Sequence, residues 1–445
     1  MTNLLPLARW KALNYKPNAW AMENVHTRDE RFIIGTTCRQ VGKTETAAME
    51  IDEGMCAPAD ADGRTPWVGV LAPTYDKAEL SINKYIERLA KTFGTDSYRM
   101  NQNKHILTIV SPEAGTPGAR LQWMSCDDPY SVVGFTFTKL IADECQNIPD
   151  EVWEKLRPAL DVMDAPVRCF GTPDVNATQS WFRGMWLRGQ EGEGNYYSYT
   201  VSCYENPWMT TETILEAKEQ LSIRQFKMLY LGQWVDTEGT VFTGVDNCIL
   251  ANVPEYDPKK RYAMAVDLAV YEDFNVVLVQ EESTRVVVHM ERWHQTDPLQ
   301  TEDRIVSIWE RFGQPRVVAD ETGMGIPMVA GLRRRGLRVF GVTIGANNKM
   351  EMVGHLAADI EHRRIMFPKW DLLLAELRAF NFKRTPSGRL TASAIAGYHD
   401  DCVMALVLLN NLTRRGVASN DKPGNYLSAK RSLTLEQMLR GFTND

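Results

Sequence analysis

The chain has 445 residues, of which 44% are apolar and 24% charged, and its formal net charge is −7 at pH 7. This length predicts two domains, and the composition is that of a globular protein. The negative charge argues against a protein that binds nucleic acid over its whole surface, although local basic patches or metal ions can still contact phosphates. No apolar run approaches the roughly 18 residues that a membrane-spanning helix needs.

The N-terminus and the cysteines indicate an intracellular protein. Residues 1–6 read Met-Thr-Asn-Leu-Leu-Pro and lack the basic region and long apolar stretch of an export signal. The eight cysteines are scattered without a C-x-x-C pair, and several fall in apolar runs. Reduced, buried thiols are the expected state.

The first motif in chain order follows a predicted cover segment, residues 1–30. An apolar strand leads into Cys-Arg-Gln-Val-Gly-Lys-Thr at residues 38–44, and a helix-prone segment comes next. In this context a Gly-Lys-Thr loop binds phosphates: backbone N–H groups surround them, Lys43 adds charge and Thr44 can ligate Mg²⁺. Thr37 stands where the usual motif has Gly, so the loop must begin differently. An ordinary strand-to-helix turn is the structural alternative. The residues predicted to bind ATP are Cys38, Arg39, Gln40, Val41, Gly42, Lys43 and Thr44.

Residues 31–173 alternate short apolar strands with helical patterns, which predicts a mostly parallel sheet with crossover helices. One strand ends in Asp143-Glu144. Asp143 is predicted to join the Mg²⁺ shell of a bound ATP, and Glu144 to act as general base for hydrolysis. The alternative for this pair is a solvated acidic turn. The predicted strands are residues 32–35, 68–72, 121–125, 139–142 and 167–171.

Two further strand ends carry hydroxyls and turn-forming residues to the same edge of the sheet. These are Pro73-Thr74 and the stretch Gly171-Thr172-Pro173. Each is a weak signal alone, because Pro and Gly end strands in many proteins. Residues 174–240 are rich in aromatic residues and helix formers, which predicts a helical lid and linker, and the Gly-, Asp- and Pro-rich residues after 236 mark a domain boundary.

The second half begins with three closely spaced strands, predicted at residues 262–267, 275–281 and 285–292, which must form an antiparallel meander. Strands at 316–320 and 338–343 and helices near 300–312, 327–335, 349–363 and 400–412 follow. This is the order of a ribonuclease-H-like domain with a mixed sheet, and we assign it to residues 241–412. Residues 413–445 are predicted to be a polar tail.

Acidic residues mark the ends of these elements. Asp267 and Asp320 end strands, and Asp400 and Asp401 open the last helix. Converged carboxylates repel each other unless divalent cations neutralise them, and two Mg²⁺ or Mn²⁺ ions at such a site can cut a phosphodiester. Helix capping is the alternative reading of Asp400 and Asp401. His399 is predicted to be a local hydrogen-bonding or outer-shell group.

Short basic clusters fall mostly in the second half, where a DNA-cutting domain needs them. A solvated face is the alternative for each. They are Lys259-Lys260-Arg261, Arg333-Arg334-Arg335 with Arg338, Arg363-Arg364 and Lys430-Arg431.

Taken together, the ordered motifs resemble the large terminase subunit of tailed bacteriophages over roughly residues 10–412. The family's phosphate loop commonly reads Arg-x-x-Gly-Lys-Thr/Ser, as residues 39–44 do. Its other motifs resemble Pro73-Thr74-Tyr75, Asp143-Glu144, the coupling motif Gly171-Thr172-Pro173, Asp267, the Asp320-x-Thr-Gly-x-Gly stretch and His399-Asp400-Asp401.

The resemblance implies a viral DNA-packaging motor. Its N-terminal P-loop ATPase, of the ASCE type, uses ATP and Mg²⁺ to drive double-stranded DNA into a procapsid, and its C-terminal Mg²⁺- or Mn²⁺-dependent endonuclease cuts concatemeric DNA. The implied catalytic residues are Glu144, Asp267, Asp320, Asp400 and Asp401, and the implied metal ligands are Thr44, Asp143, Asp267, Asp320 and Asp401. Implied partners are DNA, a portal protein, a small terminase subunit and further copies of the chain on the portal, in the host cytoplasm without a membrane and outside the mature virion.

The chain departs from the family pattern at three places. Val133 precedes Gly134 where the family often has Arg, which leaves Arg120, Arg157 and Arg168 as candidates for an arginine finger. The upstream Gln that contacts adenine has no clear counterpart near Pro17-Asn18, and Leu229 replaces a Glu of the lid. A P-loop helicase or repair ATPase, and an inactive remnant that binds DNA or partners, are the alternative functions.

Overall fold

The computed structural model describes residues 5–127, 130, 132–235, 239–268, 274–294, 297–322, 325–385, 390–395 and 399–417. Gly323 and Met324 of the Asp320 stretch, Lys430-Arg431, and the predicted tail beyond residue 417 lie outside these residues. The chain forms two compact units. The first comprises Met1–Thr243, Ala357–His362 and Arg378–Ile395, and the second Gly244–Leu356, Arg363–Leu377 and Ala396–Asp445.

Strands and helices alternate along most of the chain. The strands are β1 (Phe32–Thr37), β2 (Trp67–Leu71), β3 (Tyr98–Asn101), β4 (Ile106–Ile109), β5 (Arg120–Met124), β6 (Lys139–Ala142), β7 (Val167–Gly171), β8 (Tyr196–Val201), β9 (Ile249–Leu250), β10 (Tyr262–Asp267), β11 (Asn275–Glu281), β12 (Val287–Trp293), β13 (Arg316–Asp320), β14 (Val339–Val342), β15 (Phe367–Pro368), β16 (Phe380–Arg384) and β17 (Leu390–Ala394). The helices are α1 (Leu5–Ala12), α2 (Ala19–Ala21), α3 (Lys43–Met55), α4 (Tyr75–Phe93), α5 (Asp150–Asp161), α6 (Trp181–Gln190), α7 (Thr211–Gln220), α8 (Ile223–Leu231), α9 (Pro298–Arg311), α10 (Gly325–Arg334), α11 (Ala346–Glu361), α12 (Asp371–Ala379) and α13 (Asp401–Val417).

The first unit is built on an eight-stranded sheet in the order β3-β4-β5-β2-β6-β7-β1-β8. The five predicted strands and β8 form its parallel part, and β3 and β4 extend it as an antiparallel edge. Strand β1 pairs in parallel with both β7 and β8, and all six of its residues are buried, as expected of a central parallel strand.

Strand β8 corrects the prediction of a purely helical lid. Residues 196–201 read Tyr-Tyr-Ser-Tyr-Thr-Val, a run of aromatic and β-branched side chains that favours a strand. Helices α6, α7 and α8 are the helical remainder of this segment. Helix α8 begins with a capping box between Ser222 and Gln225 and ends at Gly232, whose φ of +65° suits a residue without a Cβ.

Both faces of this sheet are covered by apolar side chains, as a doubly covered parallel sheet requires. One face packs on residues of α3 and α4, including Ile51, Ile82 and Tyr85. The other packs on residues of α5 and α6, including Leu156 and Phe182.

A buried ion cluster lies at the edge where the parallel strands begin. Glu50 of α3, which is 1% exposed, accepts from Lys139 Nζ at 2.7 Å and from Arg168 Nε at 3.2 Å. Its other oxygen lies 2.7 Å from Nδ1 of His26. Burial alone would raise the pKa of Glu50, but Lys139, His26 and Arg168 lower it well below its usual range.

The second unit contains a five-stranded sheet in the order β12-β11-β10-β13-β14. The predicted meander is confirmed, because β10, β11 and β12 pair antiparallel. Strand β13 pairs in parallel with β10, and β14 pairs in parallel with β13. The sheet packs on an apolar core that includes Ile305, Val317 and Leu332.

The compact units differ from the continuous nuclease segment predicted at residues 241–412. The hairpin β16–β17 belongs to the first unit, because Val241 N–H donates to Phe380 O at 2.9 Å and Thr240 bridges Asn381. Arg384 of the hairpin also donates to the carbonyl oxygen of Val175, just after the Gly171-Thr172-Pro173 stretch. Such long-range pairing leaves no periodic signal in the sequence.

Candidate nucleotide and metal sites

The loop between β1 and α3 has the backbone of an anion-binding turn. Gln40 and Gly42 have φ values of +59° and +99°, whereas Thr37 is the last residue of β1. The left-handed backbone that this loop needs therefore falls at Gln40 and Gly42 and not at Thr37. Helix α3 begins at Lys43 without a side-chain cap, so its first N–H groups can face a phosphate.

Lys43 connects this loop to the predicted coupling motif. Its Nζ donates to Thr172 Oγ1 at 3.0 Å. The Thr172 N–H donates to Gln146 Oε1 at 3.1 Å, and Gln146 Nε2 donates to Glu144 Oε2 at 2.6 Å. We call Lys43, Thr172, Gln146 and Glu144 the Gln146 network. It joins the predicted phosphate-binding lysine to the predicted general base.

Gly171 leaves the space that this network uses. A Cβ at Gly171 would lie 2.8 Å from Gln146 Oε1 and 2.7 Å from a ring carbon of Phe182. A larger residue would therefore displace the glutamine from Thr172. Pro173 directly follows Gly171 and Thr172, just after the end of β7.

Asp143 and Glu144 diverge at the end of β6. Asp143 is 4% exposed, and its Oδ1 accepts the Glu144 N–H at 2.9 Å. Burial raises the pKa of Asp143 to about 6, although the charge of Lys43 opposes this shift. Glu144 has a φ of +53°, an uncommon value for a residue with a Cβ, and this turns its side chain toward Gln146.

The prediction from sequence missed Gln146. Its one local signal is its position, two residues after the acidic pair, in the 3-10 turn Cys145–Asn147. Because glutamine is common in turns, only the fold identifies it by bringing β7 beside β6.

The three candidate arginine fingers have other contacts. Arg168 belongs to the Glu50 cluster, and Arg120 lies 3.9 Å from the ring centroid of Trp67. Arg157 donates to Asp161 at 2.9 Å. These contacts are those of structural residues, so none of the three is supported as an arginine finger within its own chain.

In the second unit, four positions form a row across one edge of the sheet. Asp267 pairs in register with Val276 of β11, which pairs with Arg292 of β12. On the other side, Val266 and Ala319 are partners on parallel strands, so the next residues, Asp267 and Asp320, are neighbours. The two strand-end aspartates therefore occupy adjacent positions on neighbouring strands.

Arg292 connects Asp401 to this row. Its guanidinium lies 3.1 Å from Asp401 Oδ2 and 3.7 Å from a carboxylate oxygen of Glu376. Burial raises the pKa of Glu376, a shift that the Cys402 N–H and Arg292 oppose and Asp401 increases. Neither Arg292 nor Glu376 was predicted. The signal for Glu376 is an acidic residue in the apolar helix Asp371–Ala379.

Asp400 and His399 lie beside Asp401 with weaker contacts. The Asp400 carboxylate is 3.9 Å from Lys349 Nζ, and His399 Nδ1 is 3.9 Å from Asp401 Oδ2. Asp401 is the more buried of the two aspartates, with 10% of its side chain exposed against 31% for Asp400.

Comparisons with known proteins give the family. The model for "Terminase large subunit, T4likevirus-type, N-terminal" matches residues 34–246, and the model for "Terminase RNaseH-like domain" matches residues 264–412. The chain belongs to the terminase large subunit family. It is 26% identical, over 435 residues, to the terminase large subunit of Thermus virus P23-45, covering 90% of this chain and 88% of that one.

A solved structure agrees with this terminase fold. The large terminase of a thermophilic bacteriophage aligns with a TM-score of 0.53 at 15% identity, covering 91% of this chain and 98% of that one. The predicted α/β class, with a ribonuclease-H-like second half, is therefore confirmed.

We call Asp267, Asp320 and Asp401 the acidic row. Their carboxylates have the donor chemistry of a site for hard divalent cations. Within the residues that the structure describes, no group of three or more His, Cys, Asp or Glu side chains is arranged to hold a metal ion. The guanidinium of Arg292, 3.1 Å from Asp401 Oδ2, supplies positive charge to this carboxylate. The carboxylates fit divalent metal in type, and their ligand roles stay predictions.

Three cations, from two of the short basic clusters, are paired with carboxylates of the protein. Lys260 pairs with Glu281 at 2.9 Å, and Arg333 pairs with Glu321 at 2.6 Å. Arg335 contacts Glu302 at 3.0 Å. These pairs favour a solvated structural role for these three cations. In the described part of this terminase, no helix is long and apolar enough to cross a membrane.

Proposed function

We propose that this terminase large subunit is both the motor and the nuclease of a viral DNA-packaging machine. ATP hydrolysis in the first unit drives double-stranded DNA through a portal into a procapsid, and the second unit cuts concatemeric DNA to start and end packaging. The observation that carries the proposal is the Gln146 network, which ties the phosphate loop to a carboxylate pair. The separate acidic row and the family membership support it.

In the motor half, residues 40–42 and the start of α3 hold the phosphates of ATP through backbone N–H groups. The N–H groups of Cys38 and Arg39 donate instead to the carbonyl oxygens of Val201 and Leu229, so these two residues anchor the start of the loop. Lys43 exchanges Thr172 for a phosphate oxygen, and Glu144 accepts the proton of the attacking water. Thr44 and Asp143 would hold Mg²⁺, which offsets the negative charge on the transferred phosphoryl group.

The same exchange couples hydrolysis to movement. When Lys43 leaves Thr172, the Thr172 hydroxyl loses its donor, and a shift of Thr172 moves Gln146 through the Thr172 N–H and so moves Glu144. The loop after Pro173 then carries the change to the rest of the first unit. This assigns the coupling role to Gly171, Thr172 and Pro173.

In the nuclease half, Asp267, Asp320 and Asp401 would hold two Mg²⁺ or Mn²⁺ ions, which activate a water and stabilise the leaving oxygen of a phosphodiester. Arg292 balances the charge of Asp401 and Glu376. Asp400, which is more exposed, lies further out beside Lys349. We propose DNA, a portal protein, a small terminase subunit and further copies of this chain as partners in the host cytoplasm. The predicted tail at residues 413–445 is corrected at its start, because residues 413–417 continue helix α13, and we propose residues 418–445 as a docking tail.

The two activities should be separable by one substitution each. Glu144→Gln keeps the size of the side chain but removes the base, and we expect a loss of ATPase kcat of about 10²- to 10⁴-fold with unchanged Mn²⁺-dependent DNA cleavage. Asp320→Asn should abolish cleavage and leave ATP hydrolysis intact. Steady-state ATPase rates and a plasmid-nicking assay measure both, with Asp62→Asn, an exposed carboxylate beside Arg64, as the control.

The outcomes also distinguish the alternatives. Cleavage that survives Asp320→Asn would show that the acidic row is not the nuclease site. ATP-dependent unwinding without cleavage by the wild-type chain would support a helicase, and the absence of both activities would support a binding remnant.

A further inference from the structure

Trp208 lies on the surface beside the phosphate loop. Its side chain is 66% exposed, although burying an indole is among the larger apolar gains available to a protein. It follows Pro207, in the turn between the strand β8 and the helix α7. An exposed indole in a short, fixed turn is suited to contact a ligand.

Asn206 fixes this turn to the phosphate loop. Its Nδ2 donates to the carbonyl oxygen of Gln40 at 3.2 Å, and its Oδ1 accepts the Trp208 N–H at 3.0 Å. Asn206 is itself only 5% exposed, so its side chain is held inside the protein at the base of this turn. Movement of Trp208 away from the loop would break at least one of them.

Gly42 brings the indole and an amide to one place. A Cβ built on Gly42 would lie 3.7 Å from Cζ3 of Trp208 and 3.0 Å from Nδ2 of Asn18. That Nδ2 also donates to the carbonyl oxygen of Val41 at 3.2 Å. A flat apolar ring and a polar amide therefore flank the residue directly before the phosphate-binding lysine.

We infer that Trp208 is the stacking platform for the base of the bound nucleoside triphosphate, with Asn18 at the edge of the same subsite. The inference rests on the proposed function, because it requires the triphosphate to bind at residues 38–44. A base outside the phosphate loop has a flat face that can cover the exposed indole, and base–aromatic stacking contributes to affinity whatever the base. The rigid turn reduces the entropy lost on binding.

The test compares ATP with inorganic tripolyphosphate, which has the phosphates but no base. For Trp208→Ala we expect the calorimetric Kd for ATP to rise about tenfold or more, while the Kd for tripolyphosphate stays unchanged. Trp208→Phe retains a flat ring and should keep most of the affinity for ATP. The experiment uses the full chain in the presence of Mg²⁺.

Two results would overturn the inference. An unchanged Kd for ATP in Trp208→Ala means that the base does not stack there. An equal rise for ATP and tripolyphosphate means that Trp208 shapes the phosphate loop instead. A wild-type chain that binds neither ligand would contradict the proposed function, and the inference with it.

Discussion

Two carboxylates are buried at opposite ends of strand β6, and their environments differ. Glu50 lies near Lys139, the first residue of β6, whereas Asp143 follows the last residue of the same strand. Glu50 meets Lys139, Arg168 and His26, and its pKa is lowered despite burial. Asp143 accepts a hydrogen bond from the Glu144 N–H, and burial raises its pKa to about 6.

The difference separates a structural charge from a functional one. A buried carboxylate that several cations surround is already compensated, and it stabilises the fold as long as its partners remain. A buried carboxylate whose pKa is raised is only partly compensated, as Asp143 is by Lys43, and such groups concentrate at sites that bind a ligand or a metal. The two ends of β6 thus carry one group of each kind.

Removing the charge of Glu50, the compensated carboxylate, should have the largest effect on the stability of the protein. Glu50→Gln leaves Lys139 and Arg168 buried beside a neutral amide, and we expect a loss of about 3–5 kcal/mol in the free energy of unfolding at pH 7.5. Chemical denaturation measures it. Glu53→Gln is the matched control, because Glu53 also contacts Lys139 but its side chain is 64% exposed, and its loss should stay below about 1 kcal/mol.

The pH dependence provides a second readout of the same pair. Because the pKa of Glu50 is lowered on folding, its contribution is present above the unfolded value near 4.5 and is lost as the pH falls below it. The gap in stability between wild type and Glu50→Gln should therefore narrow in acid. A stability difference that is constant with pH would contradict this, and so would equal losses of unfolding free energy for Glu50→Gln and Glu53→Gln. Either result would show that burial does not determine how much the Glu50 charge contributes to stability.

A substitution at the other end of β6 should change the rate more than the stability. Gln146→Ala removes both hydrogen bonds that orient Glu144 relative to Thr172, and we expect ATPase kcat to fall about 10- to 100-fold with little change in KM. Steady-state kinetics measures kcat and KM separately. Asn147→Ala, at the exposed neighbouring residue, is the control. A rise in KM at constant kcat would assign Gln146 to nucleotide binding instead.

The comparison also shows what the sequence could and could not predict. The phosphate loop and the Asp143-Glu144 pair were recognisable because each motif is continuous in the chain and follows a short apolar strand. Strand β8 and the hairpin β16–β17 were missed for different reasons. The residues of β8 favour a strand, but helix formers surround them, and the place of β8 beside β1 depends on pairing with residues far away in sequence. The hairpin β16–β17 pairs locally, and its bridge to Thr240 joins it to a distant part of the chain. Gln146 and Arg292 were missed because each has a partner that is distant in sequence, Thr172 for Gln146 and Asp401 for Arg292.

Most substitutions of buried residues destabilise a protein, but removing the partly compensated charge of Asp143 should stabilise this one. Asp143→Asn keeps the shape of the side chain and removes a charge that the fold disfavours, so the metal-free protein should gain about 1–2 kcal/mol in unfolding free energy at pH 8. The same variant should lose ATPase activity, because its amide is a poorer ligand for Mg²⁺ than a carboxylate. Denaturation in the presence of a chelator and ATPase assays measure the two effects, and Glu50→Gln is the contrasting variant. If Asp143→Asn destabilises the metal-free protein as Glu50→Gln does, then the two ends of β6 are equivalent, and the raised pKa of Asp143 is no guide to its function.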